Sequence, residues 1–215
     1  MFDFISSVLL LPKNLDPKKR YSKNYCDLIN LKLGRLPRKS NHPLTLMFAV
    51  GGAGAQKEIG VKIVRSLAPE IKTGRIKIIL AAGIRTQIKD YFWGKTKGFG
   101  RGVEIIFDDT MDGYFRKFNQ TLRQTDILWT KPSELSFYAA LGLPIIVAPP
   151  IGAQEDFNQR WLLNSGFGFL QKNINYISEW LFDWLDDGHL AEAAMEGFIE
   201  GEKMGTYNIK KICFG

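Results

Sequence analysis

Five short apolar runs alternate along the chain with longer segments in which apolar residues recur at helical spacing. Each run is bounded by proline, glycine or polar residues, which is typical of a strand buried on both faces of a parallel sheet. The runs that we predict to be strands are, in chain order, LTLMFAV, RIKIILAAG, VEIIF, DILWT and PIIVAP.

The segments between these runs predict helices that pack on a sheet. After the first run, the apolar residues at helical spacing are Ile59, Ile63, Val64 and Leu67. SELSFYAALG is predicted to be a helix closed by Gly142, and the tail after the fifth run to be mostly helical with a break at Asp187–Gly188. Alternation of strand and helix predicts an α/β protein with a Rossmann-like parallel sheet and helices on both faces.

Glycine-rich and polar segments follow three of the predicted strands. GGAGAQ follows the first strand, TKPSE ends and follows the fourth, and PPIGAQED follows the fifth. The carboxyl ends of parallel strands lie along one edge of a sheet, and ligands bind there. We therefore expect these three segments, residues 51–56, 130–134 and 149–156, to meet at one edge, which we call the rim.

Two of the rim segments have both a structural and a functional explanation. The glycines of the first segment let the backbone approach a ligand, and the helix that follows offers free N–H groups to phosphate. Their spacing matches neither the dinucleotide fingerprint nor the Walker loop, so an ordinary tight turn explains them equally well. Ser133 and Glu134 fit a helix cap as well as a ligand contact, whereas capping does not explain Thr130 and Lys131.

The third rim segment places hydrogen-bonding side chains at a predicted helix start, where acids are expected in any case. The coincidence of three such segments at one edge favours a binding site. The candidate binding residues are Gly51, Gly52, Ala53, Gly54, Gln56, Arg85, Thr130, Lys131, Ser133, Glu134, Gln154, Glu155 and Asn158.

Basic residues are concentrated at the start of the chain. The formal net charge of the 215 residues is +7, and residues 1–45 hold nine Lys and Arg against three Asp and Glu, whereas the rest holds twenty against nineteen. We predict a basic linker or remnant segment over residues 1–43 and a Rossmann-like domain over residues 44–215. A solvated linker is the favoured interpretation, contact with anionic lipid stays open, and no nucleic-acid partner is expected.

Residue counts exclude several other classes of protein. Cys26 and Cys213 are too few for a disulfide framework or a metal site. Two histidines, His42 and His189, leave little for zinc chemistry, and neither lies where a general base is expected. No apolar run reaches the length of a membrane span, and no basic residue precedes the first apolar stretch. We therefore expect a cytoplasmic protein, with a contact at the inner face of the membrane left open.

The order of these motifs resembles the C-terminal, donor-binding half of GT-B glycosyltransferases, and most closely the MurG-like family 28. The resemblance spans roughly residues 44–205 and rests on GGAGAQ after the first strand, the TDIL strand, ALGLP, and IIVAPP followed by an acid and amide cluster. It implies diphosphate contacts at Gly52, Ala53 and Gly54, and sugar contacts at Gln154 and Glu155. The implied ligand is a UDP-sugar donor, without a resident cofactor or metal.

Two features depart from the family pattern. The position of the family's ribose-binding glutamate holds Phe137, and Glu134 lies one helical turn earlier, from which it could reach the same hydroxyl groups. Residues 1–43 are too short for the acceptor-binding N-terminal half, so the resemblance implies that a missing N-terminal half or a partner subunit holds the acceptor. No catalytic residue is assigned.

Other functions fit the same residues. A nucleotide-sugar epimerase of GT-B fold would share the fold and the diphosphate site. A non-catalytic nucleotide-binding or scaffold protein would share the fold and could carry Phe137 as a mark of lost donor chemistry. The sequence favours a hexosyltransferase that is incomplete on its own.

Overall fold

The strands alternate with helices along nearly the whole described chain. The computed structural model describes residues 12–36, 40–49, 54–133, 135–203 and 205–214. The strands are β1 (Thr45–Ala49), β2 (Lys77–Gly83), β3 (Val103–Phe107), β4 (Ile127–Thr130), β5 (Ile145–Val147) and β6 (Gly168–Leu170).

The helices before β3 are α1 (Pro12–Leu15), α2 (Arg20–Asn24), α3 (Cys26–Leu33), α4 (Lys57–Ser66), α5 (Ala68–Lys72), α6 (Thr86–Thr96) and the 3₁₀ helix Lys97–Gly102. The helices after β3 are α7 (Met111–Leu122), α8 (Leu135–Ala140), α9 (Ala153–Asn164), the 3₁₀ helix Ile174–Tyr176, α10 (Ile177–Asp186), α11 (His189–Glu200) and α12 (Gly205–Phe214). Within the part of the chain that the structure describes, every helix is too short or too polar to be a membrane span.

The described strands form one six-stranded sheet in the order β3-β2-β1-β4-β5-β6, and every pair of neighbours is parallel. Met47 of β1 pairs with Ile79 of β2 on one side and with Leu128 of β4 on the other. Strands β2 and β3 are therefore added on one side of β1, and strands β4, β5 and β6 on its other side. The switch point between β1 and β4 is where ligands bind in such sheets, and the predicted α/β fold is confirmed.

Successive residues of the central strands pack on opposite faces of the sheet, because the side chains of a strand alternate in direction. Leu46 and Phe48 of β1 are buried against α4, α6 and α10, whereas Met47 is buried against α7. Helices cover both faces of the sheet, and the sequences of these strands are therefore continuous apolar runs.

β6 was not expected, since we predicted a mostly helical tail after the fifth strand. Only three residues form it, too few to show a period, and they pair with β5 through Ile145 and Gly168. A Cβ atom at Gly168 would lie 2.1 Å from the carbonyl oxygen of Ile145. The strand therefore depends on a glycine that lets two backbones approach.

The described part of the N-terminal segment packs against the sheet domain. Leu15, Tyr21 and Ile29, from α1 to α3, are buried in the same core as β1. The side-chain amide of Asn14 donates a hydrogen bond of 2.9 Å to Asp126, directly before β4. The boundary at residue 43 stays a prediction, and residues 12–33 are held against the domain that it delimits.

Candidate functional site

Four of the candidate residues lie outside the described residues, namely Gly51, Gly52, Ala53 and Glu134. Their predicted contacts with diphosphate and ribose stay predictions. The neighbouring residues of the same segments are described, and their contacts define the candidate site.

The loop after β1 packs closely on the start of α6. Gly54 has a φ of 71°, and a Cβ atom there would lie 2.6 Å from Cδ1 of Ile88 and 3.8 Å from Cδ of Arg85. Glycine is therefore required at this position both for its backbone angle and for space. The contact brings Arg85, at the amino end of α6, beside the end of the glycine-rich segment.

Gln56 joins the loop after β1 to the loop after β5. Its Nε2 donates a hydrogen bond of 2.8 Å to the carbonyl oxygen of Pro149. Gln56 also has a φ of 65°, in the left-handed region that non-glycine residues rarely adopt, directly before α4. Such strain is maintained by surrounding contacts and is concentrated at functional sites.

Lys131 and Glu155 form an ion pair across the rim. Lys131 follows β4, Glu155 lies in the first turn of α9, and their Nζ and Oε1 atoms are 2.8 Å apart. The second carboxylate oxygen, Oε2, accepts a hydrogen bond of 2.9 Å from the backbone N–H of Ile151. The side chains are 28% and 14% exposed, so the pair is partly open to solvent.

The environment of Glu155 favours its charged form. Burial raises the pKa of this carboxyl group, but the hydrogen bonds from Lys131 and from the Ile151 N–H, with the charge of Lys131, lower the pKa below its usual value. The rim therefore holds a carboxylate and an ammonium group that neutralise each other.

Two further residues join the segment after β4 to its neighbours. Asn158 of α9 donates from Nδ2 to the carbonyl oxygens of Pro132, at 3.0 Å, and Ser133, at 3.2 Å. Thr130 is buried, and its hydroxyl donates to the carbonyl oxygen of Ala49 at 3.3 Å. The rim predicted from strand ends is thus formed by contacts among the residues that follow β1, β4 and β5.

Three candidate residues are exposed and make no side-chain hydrogen bond or ion pair among the described residues, namely Arg85, Ser133 and Gln154. The Ser133 hydroxyl accepts no hydrogen bond from a backbone N–H among the described residues, although α8 begins two residues later, at Leu135. Phe137, where the family resemblance expects a ribose-binding glutamate, is 52% exposed and packs edge-on against Tyr138.

Two polar residues at the carboxyl ends of the strands, Gln171 and Asp108, were not among the residues predicted from the sequence. Gln171 follows β6, and its Oε1 accepts a hydrogen bond of 3.2 Å from Nε1 of Trp129; without β6 its position could not be predicted. Asp108 follows β3, and hydrogen bonds from Lys117 and Thr110 hold the pKa of its carboxyl group well below its usual range. An acid directly after the third strand was the available signal.

The arrangement suits an anionic ligand. Helices α4, α6 and α9 begin at the carboxyl ends of β1, β2 and β5, so their free N–H groups lie at this end of the sheet. Arg85 adds positive charge that no described acid pairs, Gln154 adds an uncommitted amide, and the Lys131–Glu155 pair adds one donor and one acceptor. Together these groups can contact phosphate oxygens and hydroxyl groups.

Comparison with known proteins agrees with the fold. Residues 32–118 match the model of a family described as a domain of unknown function, DUF6938. No curated protein matches the sequence significantly. Among solved structures, a Listeria monocytogenes protein assigned as a UDP-N-acetylglucosamine 2-epimerase has 13% sequence identity and a TM-score of 0.54, over 80% of this chain and 44% of that one.

Two further structures are similar to the same extent. The spinosyn rhamnosyltransferase SpnG has 12% identity and a TM-score of 0.53, over 81% of this chain and 46% of its own. S. aureus MnaA in complex with UDP has 14% identity and a TM-score of 0.54, over 80% and 47%. The chain therefore shares its fold with these proteins, and it spans less than half of their length.

Proposed function

We propose that this chain is the donor-binding half of a glycosyltransferase and that its rim binds a UDP-sugar. The observation that carries the proposal is the Lys131–Glu155 pair, which joins the ends of β4 and β5 beside the switch point of the sheet. S. aureus MnaA, which has a similar fold, is a UDP complex. The family 28 resemblance of the sequence belongs to this proposal.

The ion pair suggests how the two ends of the donor are held. The diphosphate replaces the Glu155 carboxylate as the partner of Lys131, because a phosphate group offers the ammonium group more charge than a carboxylate does. Glu155 is then free to accept hydrogen bonds from sugar hydroxyl groups. N–H groups at the start of α4 stabilise the departing diphosphate, so that no metal is needed for that charge.

The acceptor and the catalytic base belong to another part of the enzyme in this proposal. Transfer requires an acceptor oxygen, a group to take its proton and a site closed against water. A second half, in the same polypeptide or in a partner subunit, supplies them. A cytoplasmic location and a contact with the inner face of the membrane are further predictions that go with this role.

Calorimetric titration with UDP, UDP-glucose and UDP-N-acetylglucosamine tests the proposal. Lys131→Met keeps the length of the side chain and removes its charge, and it should weaken UDP binding by about 1–3 kcal/mol, the value of a charge-assisted hydrogen bond. Lys95→Met, on the exposed surface of α6, is the matched control and should bind as wild type does. Equal affinities in the two variants would contradict a site at Lys131.

An epimerase is the second candidate function, because the similar folds include proteins named for that activity as well as a glycosyltransferase. Product analysis separates the two. An epimerase converts the UDP-sugar to its epimer without an acceptor, whereas a transferase releases UDP only when an acceptor and the second half are present. A scaffold protein that has lost donor chemistry would show no saturable binding of any of the three nucleotides.

A further inference from the structure

A groove of about 770 Å³ lies beside β3, away from the residues of the rim. One wall is formed by α6 and the 3₁₀ helix after it, and the other by alternate residues of β3. The residues that line the two walls include Lys89, Trp93 and Lys97 on the first and Val103, Ile105 and Phe107 on the second.

The strand wall of this groove is an incompletely covered sheet edge. β3 is the last strand in the sheet order, so among the described residues it pairs only with β2. Val103, Ile105 and Phe107 share one face of the strand and are each only half-buried. Trp93, opposite them, is 63% exposed. Val103 N–H donates to the carbonyl oxygen of Gly100, and the carbonyl oxygen of Phe107 accepts from Lys117. The edge between these two contacts offers apolar surface and backbone groups to an added strand.

The charge around the groove is positive. Residues 85–107 contain five Lys and Arg and two acids. Both acids are already paired, since Asp90 contacts Lys89 and Glu104 contacts Lys77. Lys97 and Arg101 form no ion pair with any described residue. An occupant of this groove would therefore meet uncompensated positive charge.

These features together select one kind of occupant. An extended peptide satisfies the free backbone groups of an edge strand and places every second side chain in the adjacent groove. A second copy of this chain would bring the same positive edge, and like charges would repel. We propose that the β3 edge binds an acidic, extended segment of a partner protein, whose apolar side chains lie between Trp93 and Ile105, since Lys89 already covers the ring of Phe107 at 4.8 Å. This inference is independent of the rim and of its ligand.

Fluorescence anisotropy with a labelled peptide of about nine residues, DDVTITVEE, tests the proposal. The peptide should bind the full chain saturably. Replacing its central isoleucine with proline removes a backbone donor and should weaken binding about tenfold or more. Hydrogen exchange should show slower exchange of the β3 amides when the peptide is bound. Absence of binding, equal binding of the proline peptide or unchanged β3 exchange would each overturn the proposal.

A charge exchange tests the role of the lysines. The double variant Lys89→Glu with Lys97→Glu should bind the acidic peptide about tenfold or more weakly than wild type does. It should bind more tightly than wild type a peptide in which lysines replace the four acids. Lys210→Glu with Lys211→Glu, on α12, is the matched control and should leave both affinities unchanged. An equal loss in the control would show general attraction between charges and would contradict a specific groove.

A Trp93→Ala variant tests the apolar wall with little risk to folding, because this side chain is largely exposed. Peptide affinity should fall about fivefold or more, while the melting temperature stays near that of wild type. Binding of anilinonaphthalene sulfonate that depends on Trp93, without any binding of the peptide, would show a site for small amphiphilic anions and would overturn the peptide proposal.

Discussion

The Asp126–His42 pair and the Lys131–Glu155 pair lie at opposite ends of the sheet, and they differ in burial. At the amino ends of the strands, Asp126 is fully buried and lies 3.2 Å from Nε2 of His42. At the carboxyl ends, Glu155 keeps 14% of its side chain exposed and lies 2.8 Å from Lys131. The pKa of Asp126 is raised because burial outweighs its hydrogen bonds, whereas the pKa of Glu155 is lowered because Lys131 and the Ile151 N–H outweigh burial.

The difference separates a structural pair from an exchangeable one. Asp126 also accepts hydrogen bonds from the Asn14 side chain, at 2.9 Å, and from the Thr45 N–H, at 2.8 Å. It therefore ties α1, the segment before β1 and β4 into one buried network. Among the described residues, Glu155 accepts from Lys131 and from one backbone N–H, on a surface that solvent reaches. A ligand can replace the second kind of contact without unfolding the chain.

The largest expected effect comes from breaking the buried network. Asp126→Ala leaves the Thr45 N–H, the Asn14 amide and the His42 ring without their acceptor, and should lower the free energy of unfolding by about 3–5 kcal/mol. Glu155→Ala should lower it by less than about 1 kcal/mol. Urea denaturation measures both. Similar losses in the two variants would show that the comparison between the ends is wrong.

The pH dependence of stability should have opposite signs at the two ends. Burial raises the pKa of Asp126, and the hydrogen bonds from His42, Asn14 and Thr45 only partly offset this. The stability that Asp126 contributes is therefore present below its unfolded pKa and is lost as pH rises through the folded pKa. The pKa of Glu155 is lowered, so its contribution is present above the unfolded pKa and is lost as pH falls through the folded pKa.

Denaturation over a series of pH values measures this difference. The stability of wild type relative to Asp126→Asn should fall as pH rises, because asparagine does not titrate. The stability of wild type relative to Glu155→Gln should rise over the same series. Two slopes of the same sign would contradict the assignment of the two environments.

A smaller effect is expected at Gln56, where the backbone of the rim is strained. Gln56→Ala and Gln56→Gly both lose the hydrogen bond to Pro149, but only alanine keeps a Cβ atom at a φ of 65°. The glycine variant should therefore be more stable than the alanine variant by about 0.5–1 kcal/mol. Thermal unfolding measures the difference. An alanine variant at least as stable as the glycine variant would show that the strain is absent.

The sequence predicts that the charged residues of the rim lie close together, but it does not predict which of them form ion pairs. Lys131 and Glu155 are expected at one rim because each follows a strand in a parallel sheet. Their ion pair depends on side-chain geometry, and the spacing of apolar residues in the sequence gives no information on that geometry. His42 was assigned to a linker, yet it contacts Asp126, and no pattern in the apolar runs connects these two residues. β6 was missed for a similar reason, because the close approach of two backbones forms it.

The smallest expected effect tests the exchange of partners at Lys131. Glu155→Gln removes the charge that competes for Lys131, and should strengthen UDP binding by about 0.4–1 kcal/mol, the usual value of a partly exposed ion pair. The gain should be smaller for a UDP-sugar, because glutamine is a weaker acceptor for sugar hydroxyl groups.

Two controls decide whether this gain acts through Lys131. Asp156→Asn removes an acid from the same first turn of α9 that forms no ion pair with a described residue, and it should change UDP affinity less than Glu155→Gln does. In the Lys131→Met background, Glu155→Gln should have no effect of its own, since the group for which it competes is gone. Calorimetry measures all four variants. A gain that persists in that background, or that Asp156→Asn matches, would reflect general electrostatics and would contradict the exchange.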